Sequence, residues 1–161
     1  MIRILFVCTG NTCRSPMAEA LLREKLRDNG AADAVSVSSA GISAWEGQPA
    51  SAQAIRVMAL REISSIAFHR ARQISTEQIL EADLILTMTG LHKESLQKHY
   101  QDHAAKIFLL SEYAGASEDV ADPVGGPMAE YEMCAGELDH LIEVALEKIL
   151  FWEGKGKRVG E

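Results

Sequence analysis

Short apolar runs alternate with segments of helical periodicity along most of this chain. Four runs have the length and apolar content of buried strands, and they lie at residues 2–7, 35–39, 84–88 and 106–110. The segments between them repeat their apolar residues every three or four positions, which predicts helices after Ser15-Pro16 and at 51–61, 75–82 and 90–100. Strands that alternate with helices predict an α/β fold, a three-layer sandwich in which helices flank a four-stranded parallel sheet.

The clearest helical pattern lies near the C-terminus. One apolar stripe is formed there by Cys134, Leu138, Leu141, Ile142, Ala145, Leu146, Ile149 and Leu150. Its position on this stripe predicts that Cys134 is a buried packing residue. The apolar period ends before the basic tail, so we expect residues 1–152 to form one domain and residues 153–161 to be disordered.

Composition narrows the class of protein. The chain has 161 residues, 47% of them hydrophobic, and a formal net charge of −7. This charge gives no electrostatic reason to expect binding to nucleic acid or to an anionic membrane. Three cysteines are a poor disulfide framework, and no apolar stretch is long enough to span a bilayer. We expect a cytoplasmic protein, and a monomer.

The chemistry concentrates in one turn between the first strand and the first helix, residues 8–15, with the sequence CTGNTCRS. Such a turn presents free backbone N–H groups at the positive end of a helix. Gly10 is expected to provide backbone geometry that a side chain would oppose, and Arg14 can bind two phosphate oxygens in a planar fork. The turn therefore predicts a cradle for an oxyanion.

Cys8 stands at the end of the strand, beneath this cradle. Helix N-termini and nearby cations lower the pKa of a thiol, so we expect Cys8 to be a thiolate near neutral pH and a nucleophile toward phosphorus. Ser15 could donate a hydrogen bond to its sulfur. Leaving-group departure needs a positioned acid, and Asp122, in a loop rich in proline and glycine at residues 117–127, is one candidate among 23 acidic residues.

These residues resemble the signature of the low-molecular-weight protein tyrosine phosphatases. The resemblance begins with Val7–Glu19, sequence VCTGNTCRSPMAE, and continues through Ser39-Ala40-Gly41, His69-Arg70-Ala71-Arg72 and Asp122-Pro123. It covers roughly residues 2–150. The fold it implies is phosphotyrosine protein phosphatase I-like.

The resemblance also implies roles for individual residues. Cys8 would form a phosphocysteine intermediate, Arg14 and the loop amides would bind the phosphoryl oxygens, and Asp122 would protonate the leaving group and then activate water. The substrate-binding loop would comprise Thr9, Gly10, Asn11, Thr12, Cys13 and Ser15. A hydrogen-bonded frame that holds the loop would comprise Asn11, Ser15, Ser39 and His69. No metal or cofactor is implied, and the partners would be phosphorylated proteins, with inorganic phosphate as a product.

Three positions bear on which phosphorylated side chain is hydrolysed. Thr12 in CTGNTCRS resembles the bacterial protein arginine phosphatases of this family, whereas tyrosine-type members often have an apolar residue there. Val124 follows Asp122-Pro123 in place of the bulky tyrosines of eukaryotic-type members, but the arginine enzymes have an aromatic residue there. Trp45 resembles an aromatic wall of tyrosine-type members. We expect protein phosphoarginine as the substrate, with phosphotyrosine as the alternative.

Other interpretations remain open. An arsenate reductase of this architecture would need a cysteine relay that is not apparent, and a non-catalytic phosphoprotein-binding module would have no use for Cys8 or Asp122. Oxidation could join Cys8 to Cys13 and protect the nucleophile. His92, His99 and His103 lack further ligands at zinc-like spacing, so we expect them to be solvated.

Overall fold

The computed structural model describes residues 1–154, and a four-stranded parallel sheet forms its centre. The strands are β1 (Ile2–Cys8), β2 (Val35–Gly41), β3 (Leu84–Thr87) and β4 (Ile107–Leu109). Their order across the sheet is β2-β1-β3-β4, and every pair is parallel. The predicted fold class and all four predicted strands are confirmed.

Six helices flank the sheet in the described part of the chain. They are α1 (Arg14–Asp28), α2 (Ala52–Leu60), α3 (Thr76–Glu81), α4 (Gly90–His99), α5 (Leu110–Tyr113) and α6 (Met128–Gly154), with short 3-10 segments at Ser65–Phe68 and Gln101–Lys106. Local capping explains three of the helix starts: the side chains of Ser51, Ser75 and Thr89 accept hydrogen bonds from backbone amides at the starts of α2, α3 and α4.

Each face of the sheet has its own core. Alternate residues of β1 point to opposite faces, so Ile4 and Phe6 lie in the cluster that α1 and α6 cover, whereas Leu5 and Val7 lie in a smaller cluster with Ile79 of α3 and Leu96 of α4. Cys134 lies in the larger cluster and is buried, as its stripe predicts. Burial raises its pKa to about 12, which disfavours the reactive thiolate form.

Several element ends differ by one or two residues from the sequence prediction, and two of these differences matter most. Leu110 begins α5 instead of ending β4, because a sequence run of apolar residues does not distinguish a strand from a buried helical turn. Helix α6 continues through Gly154, two residues into the segment that we expected to be disordered, and residues 155–161 of that segment lie outside the described residues. Across residues 1–154, none of the helices combines the length and apolarity that crossing a membrane requires.

Candidate active site

The catalytic-loop candidate, residues 8–15, lies at the carboxyl end of β1, a central strand, where it turns into α1. Asn11, not Gly10, adopts a left-handed backbone conformation here, with φ of 56°. A Cβ at Gly10 would meet only the Thr12 hydroxyl, at an ordinary 3.7 Å. The expectation that Gly10 is needed for its backbone geometry is therefore wrong, and asparagine, which tolerates this conformation better than most residues, takes that role.

Gly41 is the glycine that the loop requires. A Cβ there would lie 2.4 Å from the Thr9 carbonyl oxygen. The end of β2 and the residues after it approach the loop closely, and the backbone amides of Ile42 and Ser43 donate to the carbonyl oxygens of Cys8 and Thr9 at 3.0 and 2.9 Å. This contact explains the glycine of the Ser39-Ala40-Gly41 segment.

Cys8 is the centre of the loop and is 2% exposed. Its Sγ lies 2.8 Å from the Ser15 hydroxyl, and the Asn11 backbone amide donates to it at 3.3 Å. Burial raises the pKa of Cys8, while hydrogen bonds from Ser15 and Asn11 and the positive charge of Arg14 lower it, and the net direction is upward. Ser15, Asn11 and Arg14 are therefore placed to stabilise the expected thiolate, whereas burial of the sulfur disfavours it.

A buried hydrogen-bond network holds the loop from behind. Asn11 Nδ2 donates to the hydroxyls of Ser15 and Ser39 at 2.8 and 2.9 Å, and Asn11 Oδ1 accepts from the backbone amide of Arg72 at 2.9 Å. His69 Nε2 lies 2.7 Å from the Asn11 carbonyl oxygen. The structure thus brings together all four residues of the expected frame.

Glu19 completes this network and was assigned no role from the sequence, although it lies within the matching segment. Its carboxylate accepts from the Ser39 hydroxyl at 2.8 Å, lies 3.8 Å from His69 Nδ1 and pairs with Arg23 at 2.8 Å. Glu19 is five residues after Arg14, about one and a half helical turns along α1, and this places it at the back of the loop. Its place in the matching segment and this spacing are the signals in the sequence that point to it.

Arg14 is buried and links the loop to the segment that contains Asp122. One of its guanidinium nitrogens donates to the Val120 carbonyl oxygen at 3.0 Å, and the other lies 3.3 Å from Asp122 Oδ2 and 3.5 Å from the Thr9 hydroxyl. The Asp122 side chain is 45% exposed, and its other oxygen accepts from the Val124 backbone amide at 3.1 Å. Cys8, Arg14 and Asp122 therefore converge on one site.

His92 contradicts the expectation that it is solvated. It is 4% exposed, and its Nε2 lies 2.9 Å from the Thr9 hydroxyl. Burial first, and then the charge of Arg14, lower its pKa to about 4, so the ring is neutral near pH 7. The sequence could not reveal this contact, because Thr9 and His92 are joined only by the pairing of β1 with β3.

The remaining candidates surround the loop with differing exposure. Cys13 is buried, and its Sγ lies 3.3 Å from the Ser51 hydroxyl and 3.5 Å from the Tyr131 hydroxyl. Thr12 is half-buried, and its carbonyl oxygen accepts from the Ser51 amide at 2.9 Å. Trp45 and Val124 are 82% and 61% exposed. All three cysteines are free thiols.

Comparison with known proteins agrees with this geometry. Residues 3–151 match the family model described as low molecular weight phosphotyrosine protein phosphatase. A protein-arginine-phosphatase of Geobacillus stearothermophilus is 43% identical over 91% of this chain and 95% of its own. The low molecular weight protein-tyrosine-phosphatase PtpB of Staphylococcus haemolyticus is 40% identical over 88% of this chain and 95% of its own.

One solved structure similar to this chain bears on the reaction itself. It is a cysteine-to-serine variant of the YwlE arginine phosphatase with its active-site serine phosphorylated, and it superposes with a TM-score of 0.88, at 35% identity over 92% of this chain and 96% of that one. It indicates that phosphate transfer in this group passes through a covalent phosphoenzyme. The chain is a protein phosphatase and belongs to the low molecular weight phosphotyrosine protein phosphatase family.

Proposed function

We propose that this protein hydrolyses phosphoarginine in proteins, with Cys8 as nucleophile, Arg14 as phosphoryl clamp and Asp122 as acid and base. The observation that supports these roles best is the position of Cys8 Sγ, 2.8 Å from the Ser15 hydroxyl and 3.3 Å from the Asn11 amide. Both groups can stabilise a negative charge on sulfur. Arg14 adds a positive charge that is itself held against Asp122.

The first step transfers the phosphoryl group from the substrate to the enzyme. The Cys8 thiolate attacks phosphorus, the P–N bond to the guanidine breaks, and Asp122 gives its proton to the departing nitrogen. A phosphocysteine and a free arginine side chain result. The loop amides and Arg14 stabilise the charge that the phosphoryl oxygens carry in the transition state.

The second step releases phosphate. Asp122, now a carboxylate, takes a proton from water as the water attacks phosphorus. The S–P bond breaks, inorganic phosphate leaves, and the thiolate is stabilised again by the Ser15 hydroxyl. One side chain acts in turn as acid and base, which requires that it can reach both the leaving nitrogen and the attacking water; an exposed Asp122 suits this demand.

Thr12 supports arginine over tyrosine. Its side chain is half-buried in the loop that would bind the phosphoryl group, where a hydroxyl can hydrogen-bond the leaving nitrogen or a water. An apolar residue would instead favour an aromatic ring. The strongly exposed Trp45 supports the alternative, phosphotyrosine, because it could pack against such a ring.

The test compares kcat/KM for one peptide sequence carrying either phosphoarginine or phosphotyrosine. We expect the wild type to prefer phosphoarginine, Thr12→Ile to reduce this preference about tenfold or more, and the matched control Thr12→Ser to retain it. If Thr12→Ile leaves the preference for phosphoarginine unchanged, Thr12 does not determine the substrate. A wild type that prefers phosphotyrosine would overturn the substrate proposal while leaving the phosphatase intact.

The same proposal covers the setting in which the enzyme works. We infer a cytoplasmic monomer whose catalytic domain spans residues 1–152.

We also propose that peroxide oxidises Cys8 to a sulfenic acid, which the Cys13 thiol attacks to form a disulfide and release water. Wild type should then recover activity after peroxide and dithiothreitol, whereas Cys13→Ser should not. Equal recovery of the two proteins would count against this protection.

A further inference from the structure

A cavity of about 450 Å³ lies outside the phosphoryl-binding side of the loop, between α1, the edge strand β2 and the segment 65–72. Its volume falls within the range of small-molecule sites. Its lining comprises Pro16, Glu19, Ala20, Arg23, Ser38, Ser39, Ser65, Ile66, Phe68, His69, Arg70 and Arg72. Neither Cys8 nor Arg14 nor Asp122 lines it, so this cavity is separate from the proposed catalytic site, although Glu19, Ser39 and His69 of the network behind the loop form part of its wall.

The charges that line the cavity are strongly unbalanced. Three arginines, Arg23, Arg70 and Arg72, face one carboxylate, Glu19, in a chain whose formal net charge is −7. Glu19 is already satisfied by Arg23 and by the Ser39 hydroxyl. A positive concavity in an acidic protein attracts anions and repels cations.

The two remaining arginines have guanidinium groups available for a ligand. Arg70 donates from Nη1 to the carbonyl oxygen of the adjacent His69, at 2.9 Å. The Arg72 guanidinium has no hydrogen-bond or ion-pair partner within residues 1–154, whereas its backbone amide is fixed by Asn11. Guanidinium groups bind phosphate oxygens in pairs, and the hydroxyls of nearby serines can add further hydrogen bonds.

One wall of the cavity is apolar. Phe68, Ile66 and Pro16 contribute apolar surface to the lining, and Phe68 is 83% exposed. An exposed aromatic ring next to arginines offers a stacking surface to a planar group, and the cavity is larger than inorganic phosphate requires. We propose that this cavity is a second anion site that binds a small phosphate ester carrying a planar ring.

The experiment follows backbone amide chemical shifts of the full chain during titration with adenosine monophosphate, ribose 5-phosphate or inorganic phosphate. We expect shifts at Ser38, Ser65 and Arg70 that saturate separately from shifts at Gly10 and Thr12, which report the catalytic loop. Affinity at the cavity should be highest for adenosine monophosphate and lowest for inorganic phosphate. Shifts at the catalytic loop alone would overturn the proposal.

Substitutions at the cavity and away from it test whether adenosine monophosphate binds there. Arg72→Gln keeps the backbone amide that contacts Asn11 and should raise the Kd for adenosine monophosphate at the cavity about tenfold, the effect of losing one charge-assisted hydrogen bond. Arg56→Gln, at an exposed arginine of α2 outside the cavity, is the control and should leave it unchanged. If Arg72→Gln is poorly folded, Arg70→Gln serves in its place. Equal Kd values in all variants would contradict the proposal, whatever the outcome for phosphoarginine hydrolysis.

Discussion

The two halves of the candidate active site are held in very different ways. The loop that we propose is catalytic, residues 8–15, has mostly buried residues and is fixed by several short hydrogen bonds, most of them through Asn11, which contacts Ser15, Ser39, His69 and the Arg72 amide. The proposed acid on the other side, Asp122, is half exposed, and within residues 1–154 its polar contacts are those with Arg14 and the amide of Val124.

The difference follows from what each half must do. A loop that stabilises a phosphoryl transition state gains from fixed geometry, because its dipoles then need no reorganisation during reaction. An acid that must serve first a leaving group and then a water gains from freedom to move. Arg14 contacts both halves. We therefore expect that changes at Asp122 affect the rate alone, whereas changes in the hydrogen-bonded loop affect the rate and the stability together.

The largest expected effect is on catalysis, in Asp122→Asn. Without the acid, kcat for a phosphoarginine peptide should fall about 10²–10⁴-fold. The free energy of unfolding should change by less than about 1 kcal/mol, because the pair with Arg14 is half exposed on the Asp122 side. Hydrolysis of p-nitrophenyl phosphate, whose leaving group needs less protonation, should suffer less. A loss of kcat/KM, which reports the first step and not the release of phosphate common to both substrates, that is equal for both would mean that Asp122 is not the acid.

Asn11→Ala tests the other half and should affect both properties. The substitution removes a buried side chain with three hydrogen bonds and places alanine at a φ of 56°. We expect a loss of about 3 kcal/mol in the free energy of unfolding, measured in urea, together with a large loss of kcat. Ser39→Ala, which removes one member of the network, should cost less. Unchanged stability in Asn11→Ala would show that the loop does not depend on this frame.

Ser15→Ala should have a smaller effect, on the Cys8 thiol itself. The Ser15 hydroxyl is the largest of the contributions that lower the pKa of Cys8, although burial outweighs them. Its removal should raise this pKa, so alkylation by iodoacetamide should need a higher pH than in wild type. Ser111→Ala, at another buried serine whose hydroxyl has no hydrogen-bond partner among the described residues, is the matched control. If the pH dependence of alkylation is the same in Ser15→Ala as in wild type, Ser15 does not stabilise the thiolate.

The sequence predicted the strands and the loop because those signals are local. The apolar run before Cys8 and the proline after Ser15 mark a strand–turn–helix unit regardless of what surrounds it. The resemblance to a family then supplied Ser39, His69 and Asp122, which local pattern alone could not connect to Cys8.

Long-range contacts explain the failures. The sequence favours Gly10 for the special backbone geometry because glycine is the usual residue in the left-handed conformation, yet Asn11 adopts it. The Asn11 side chain forms its hydrogen bonds to Ser39 and to the Arg72 amide only in the folded chain. The spacing of the histidines indicates no partner for His92, and it is buried because β3 places the start of α4 beside the loop of residues 8–15. Burial of Cys8 likewise depends on the whole fold, so the local sequence does not indicate its opposing effect on the thiolate.

His92, at the junction of the two halves, should have the smallest effect. It concerns the pH dependence of the free energy of unfolding, and the pKa of His92 fixes its direction. The pKa of this histidine is lowered from 6.5 to about 4, so between these values the unfolded chain binds a proton there that the folded chain does not. The free energy of unfolding must therefore fall as the pH falls through this window and rise as the pH rises. In His92→Asn the loss between pH 7 and pH 5, measured by urea unfolding, should be about 2 kcal/mol smaller than in wild type. His99→Asn, an exposed histidine of the same helix, should match wild type. Parallel pH profiles for wild type and His92→Asn would show that His92 takes up its proton equally in both states, and that the Thr9 contact does not keep the ring neutral.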